Sequence, residues 1–149
     1  MRIPEDRLYS EHHLWVKKQR GGKVLIGMTD FGQLRLGEII DLELPEEGDE
    51  LVKDEAFGSV ESTQGVVDLI APINGEVLQT NEDLLDTPDL INEDPYDEGW
   101  IIKAKLSDPD ELEELLTADE YEDLISGEEI SPGEEIMGVD RDDFDFEEE

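Results

Sequence analysis

The chain has 149 residues, 36% of them hydrophobic, enough for one core and one domain. Forty-four Asp and Glu against 11 Lys and Arg leave a net charge of −33, a surface that repels nucleic acid and anionic lipid. No apolar run approaches the ~18 residues of a membrane span, no signal peptide is visible in "MRIPEDRLYS", and the lack of cysteine excludes disulfides and thiolate chemistry while agreeing with a reducing, cytoplasmic setting.

"HLWVKK" at 13–18 predicts a first strand, "GG" at Gly21–Gly22 a hairpin turn, and "KVLIGM" (Lys23–Met28) the return strand. Thr29–Asp30 then caps a short helix, "DFGQLRL", that stops at Gly37. "EIIDLEL" (Glu38–Leu44) reads as strand. Gly and Pro punctuate short apolar segments up to about residue 80, the pattern of a small β sandwich or barrel. A weak repeat, "PEEGDELVKDE" from Pro45 and "PINGEVLQTNE" from Pro72, suggests two similar halves packed face to face and joined by one hairpin. Residues 81–99 read as loop with one helical turn at Glu82–Leu85, and "WIIKAKL" (Trp100–Leu106) as the last strand.

Two helix starts follow. In "SDPDELEELL", Asp108 is the cap, Pro109 takes the first helical position and Glu111 the capping-box position, with Leu112, Leu115 and Leu116 on one face. "TADEYEDLI" repeats the logic with Thr117 and Glu120, and an apolar stripe of Tyr121, Leu124 and Ile125. We divide the chain into a body at 1–125 and an acidic, mobile extension at 126–149, which holds 11 acids and one Arg.

Little of this is catalytic chemistry. No serine sits in a Gly-x-Ser-x-Gly setting, and there is no P-loop or dinucleotide fingerprint. His12 and His13, adjacent on a strand, would point to opposite faces. "DPDELEE" and "DRDDFDFEEE" lack the spacing of a calcium loop, so no metal site is expected. Trp15, Phe31, Phe57 and Trp100 read as core, and Tyr9 and Tyr96 as residues that could border a partner surface. The chain is expected to be no enzyme.

The informative stretch is "FGSVESTQGVVDLIAPINGEV", Phe57 to Val77. It reads as two strands joined by the polar turn Glu61–Ser62–Thr63–Gln64–Gly65. Gln64 in this turn is a neutral amide, neither nucleophile nor base.

Taken in order, "LYSEHHLWV", "IGMTDFGQLRLGEI", "ELPEEGDEL", "EAFGSVES", "DLIAPINGEV", "NEDPYDEGW", "IIKAKLSDP" and "LLTADEY" resemble the H protein of the glycine cleavage system, over residues 1 to about 125. The resemblance implies a mainly β, lipoyl-domain-like barrel-sandwich hybrid with short helices, including C-terminal ones. It implies a carrier whose lipoyl-lysine, in a Glu-Ser-Val-Lys-Ala tip, shuttles an aminomethyl group from the pyridoxal-phosphate-dependent P protein to the tetrahydrofolate-dependent T protein. The flavin-containing L protein reoxidises the arm. On this chain Glu61 and Ser62 match the motif, Thr63 replaces valine, Gln64 stands at the lysine and Gly65 at the alanine, and Asp68 matches again. An amide nitrogen cannot be acylated as an amine is, so no lipoate is expected here. The expected partners are the P, T and L proteins and the lipoylation enzymes, and the expected state is a monomer. The alternative is a regulatory or binding module that reuses the scaffold with different partners. The acidity itself admits two readings, adaptation to high salt or attraction of a basic partner.

Overall fold

Alternation builds the first strand pair. In β2 (Leu14–Lys18), Leu14 and Val16 point one way and Trp15 the other, and all three are buried because both faces of the strand are covered. The computed structural model, which describes residues 2–126, sets β2 between the short β1 (Leu8–Tyr9) and β3 (Lys23–Met28). Gly21 and Gly22 turn the chain between β2 and β3 with positive φ, as "GG" predicts. Thr29 caps α1 (Asp30–Leu36) by accepting the Gly32 N–H, and Gly37 ends it at φ 78°.

The chain continues through β4 (Ile39–Glu43), β5 (Glu50–Leu51), β6 (Ala56–Ser62), β7 (Gly65–Ile70) and β8 (Gly75–Thr80). Two helical turns follow, α2 (Asp83–Asp86) and α3 (Leu90–Glu93), then β9 (Ile102–Leu106), a 3-10 segment (Pro109–Glu114) and α4 (Ala118–Ile125). One open antiparallel sheet runs β1-β2-β3-β9-β8-β5 and the other β4-β6-β7. The architecture is mainly β with short helices, two open sheets and no closed barrel.

The principal core lies between the sheets. Val16 and Ile26 of the first meet Leu42, Val60 and Leu69 of the second, and each such fully buried aliphatic side chain contributes about 1.5–3 kcal/mol. A second, aromatic cluster of Tyr9, Trp15, Phe31, Tyr96 and Tyr121 covers the outer face of β2 under α4. Trp15 fits there because Gly27 faces it across the strand pair, where an added Cβ would approach the indole ring to 2.5 Å.

Several expectations change. Tyr9 and Tyr96 are core residues: the Tyr9 ring stacks on Tyr121 at 4.8 Å, and its hydroxyl donates to the Pro4 carbonyl. The two histidines lie in the β1–β2 turn, not on a strand, and His13 has φ 68°. The two half-repeats do not form separate layers. Their strands β5 and β8 pair directly, Leu51 opposite Gly75, and the hairpin β6–β7 belongs wholly to the three-stranded sheet. Phe57 and Trp100 are only partly buried at the core margin. The helical turn expected at Glu82–Leu85 falls at Asp83–Asp86, α3 was not foreseen, and β9 begins at Ile102. Pro109–Glu114 is 3-10 and not α; Asp108 caps it through the Asp110 N–H, but Glu111 reaches across to the Asn74 N–H and amide instead of closing a capping box. The box at Thr117 and Glu120 does close, while Leu124 of the predicted stripe stays exposed. Of the acidic extension expected at 126–149, all but Ser126 lies outside the described residues.

Candidate functional site

The β6–β7 hairpin ends in a two-residue loop, Thr63–Gln64, closed by the pair Ser62 and Gly65. Ser62 is buried although it stands next to the tip. Its Oγ accepts the Gln64 N–H at 3.1 Å and donates to the Gly65 carbonyl at 3.3 Å, a side-chain turn that holds the loop without use of the Gln64 side chain. The Gln64 side chain is exposed at the apex. Glu61, opposite Val66, and Asp68, opposite Ser59, are exposed on the flanking strands. Glu61, Ser62, Thr63, Gln64 and Gly65 thus lie at the hairpin end, and Asp68 stands midway along β7.

Support comes from two elements whose role the sequence did not disclose. The Thr63 N–H donates to the Glu38 carbonyl at 3.1 Å, and Gly37 comes so near that a Cβ there would lie 2.9 Å from Thr63 Oγ1. Asn92, on α3, fastens this α1–β4 link. Its amide donates to the Gly37 carbonyl (2.9 Å) and to Gln33 Oε1 (2.8 Å), and its carbonyl accepts the Ile39 N–H (2.9 Å). No periodicity or spacing marked Asn92; it lies in a stretch read as loop, 53 residues from Ile39 in the chain.

Below the tip, β7 and α1 enclose a recess of about 500 Å³, apolar along Met28, Leu36, Val67 and Ile70, with Asp68, Glu11 and Arg35 at its edges. His13 lies in its wall. Arg35 Nη1 is 3.1 Å from His13 Nε2, and a guanidinium only donates, so Nε2 is the acceptor and Nδ1–H points at Tyr121 Oη, 2.9 Å away. Tyr121 Oη is in turn 2.7 Å from Thr29 Oγ1. Burial, then the Arg35 charge, then His12 push the imidazole pKa down to about 4, which keeps the ring neutral. One of the two histidines thus tethers α4 to the α1 cap.

Five of the six lysines, at 17, 18, 23, 103 and 105, stand on β2, β3 and β9 of the other sheet. Lys53 occupies the turn after β5, ion-paired with Glu114. The hairpin offers no amine. Among the described residues, no group of three or more His, Asp or Glu side chains is placed to hold a metal ion, and no helix is long and apolar enough to cross a membrane.

Comparison with known proteins gives this arrangement its context. The glycine cleavage H-protein family matches residues 7–128. The chain belongs to that family. The glycine cleavage system H protein of Bacillus licheniformis is 54% identical over 125 residues, covering 84% of this chain and 98% of that protein. That of Bacillus subtilis is 51% identical over 124 residues, 83% and 97% of the two chains. The crystal structure of a glycine cleavage system H protein from Mycobacterium marinum superimposes with a TM-score of 0.76 at 36% identity, covering 83% of this chain and 99% of that one. H proteins are lipoyl carriers that interact with the P, T and L proteins, and are not themselves enzymes.

Proposed function

We propose that this chain is an H-protein homologue that keeps the carrier scaffold but carries no lipoate at its hairpin tip. Gln64 stands, on this reading, where the family bears its lipoyl-lysine. The observation that carries it is the apex itself: Ser62 organises the loop around residue 64, which is exposed, and that residue is an amide. Lipoylation joins a carboxylate to a nucleophilic amine. The nitrogen of glutamine is already acylated and its lone pair delocalised, so no shift of pKa makes it an acceptor. The residues present at the tip do not fit the prosthetic group.

The scaffold's remaining capacity is to bind. The P, T and L proteins and the lipoylation enzymes meet a hairpin of ordinary shape, with Val66 67% exposed beside the apex and Glu61 and Asp68 on its flanks. The chain then acts as a monomeric, cytoplasmic binding module for the system's enzymes, and not as their shuttle.

Three experiments test this. The intact mass of protein made in a lipoylation-competent cell should be that of the unmodified chain; a lipoyl increment would place the acceptor on another lysine and end the proposal. Gln64→Lys should acquire that increment, and its failure to do so would locate the loss in Thr63, Gly65 or the surrounding acid as well. Pull-down with the P, T and L proteins separates retained partners from new ones.

A further inference from the structure

A second groove, of about 640 Å³, lies between the β1–β2 turn, the Lys53–Asp54 turn and α4. Its floor is apolar, formed by Ala71, Pro72, Leu115 and Leu116. Leu124 stands at its edge, 38% exposed, although the rest of the α4 stripe is buried. The rim carries the carboxylates of Glu11, Asp54, Glu114, Glu120 and Asp123. Lys53 is the one Lys or Arg among its described lining residues, and it is engaged by Glu114. An apolar floor under a negative rim differs from diffuse surface acid, because the low-dielectric wall strengthens attraction to a seated cation.

We propose that this groove docks a basic amphipathic segment of a partner protein, its apolar side chains on the Pro72–Leu115 floor and its Lys or Arg side chains on the rim. Charge complementarity selects this occupant over two others. Residues 127–149 hold 11 acids and one Arg, so the chain's own tail would bring like charge to the rim. A second copy would set the same carboxylates against each other. The groove also shares Glu11 and His12 with the recess beside β7. The inference goes beyond the proposed function, since it requires neither Gln64 nor lipoate.

The test titrates the full chain with a fluorescein-labelled amphipathic helix of leucine and lysine, followed by anisotropy at ~0.15 M salt. A peptide of equal charge with serine in place of leucine is the comparison. The leucine peptide should bind more tightly and shift the methyl resonances of Leu115, Leu116 and Leu124. Glu120→Gln with Asp123→Asn should weaken it about fivefold, whereas Asp41→Asn with Glu43→Gln, on the exposed face of β4, should change it less than about twofold. Glutamine keeps the capping-box acceptor of α4, so the first pair should leave the far-UV circular dichroism unchanged. Equal weakening by both pairs, or equal binding of the two peptides, would overturn the proposal in favour of general attraction to an acidic surface. Nuclear Overhauser contacts from the groove methyls to Phe144 or Phe146 in the free chain would overturn it by making the tail the occupant. A concentration-dependent dimer abolished by Leu124→Ala would do so in favour of a second copy.

Discussion

Ser62 and His13 show how single side chains set the behaviour of this molecule. Ser62 closes the apex through two hydrogen bonds of its own hydroxyl, so Ser62→Ala should cost about 1 kcal/mol in urea denaturation and speed amide exchange at Gln64. His13 is half-buried and neutral, with its pKa lowered from 6.5 to about 4 by burial first and then by Arg35 and His12. Between those two pH values the unfolded chain holds more protons than the folded one. Its contribution is therefore complete above about pH 6.5 and is lost as pH falls towards 4. Carboxylate repulsion relaxes over the lower part of that range with the opposite sign, so the comparison with His13→Asn isolates the histidine; asparagine tolerates the φ of 68°. The stability difference between wild type and His13→Asn should shrink between pH 6.5 and 4, and a difference independent of pH would remove the neutral-ring assignment.

At the scale of elements, the hairpin tip rests on the α1–β4 link, which α3 fastens. Asn92 saturates the Gly37 carbonyl and the Ile39 N–H at once, and that link supports Thr63. Asn92→Ala leaves both backbone groups without their partner, and should destabilise the protein by about 2–4 kcal/mol while raising exchange at the Thr63 and Gln64 amides more than at β2 or β3. Uniform loosening would mean that Asn92 serves the fold as a whole and not the tip. Aspartate in its place retains the acceptor for Ile39 but sets a carboxylate oxygen against the Gly37 carbonyl and Gln33 Oε1, so Asn92→Asp should destabilise at least as much as Asn92→Ala.

The whole molecule carries −33. Like-charge crowding opposes compaction and is screened within about 10 Å at 0.1 M salt and about 3 Å at 1 M. If the acidity is salt adaptation, the urea midpoint should rise steadily as sodium chloride is raised from low to molar concentration. A flat or falling curve would leave the basic-partner explanation, with the groove by α4 as its structural expression. Binding in that groove should show the reverse dependence, weakening as salt rises, so the two consequences of the same charge are separable in one series of titrations.

What the sequence by itself determined is local. Glycines with positive φ end the β2–β3 turn and α1, Thr29 and Thr117 cap their helices, and the period-two segments become strands, because each depends on groups within about four residues. The hairpin tip was equally legible: two apolar segments flanking one short polar turn leave Thr63 and Gln64 between the strands whatever the sheet does. The tertiary structure alone decided which strands share a sheet, that β5 pairs with β8, that Tyr9 and Tyr96 are core, and that Leu124 is not. It alone turned Glu111 away from its own helix towards Asn74, 37 residues distant, and placed Asn92 under the tip. Those outcomes rest on hydrogen bonds and burial between segments remote in the chain. Such contacts form when the two sheets close over a common core, and short-range pattern does not encode them.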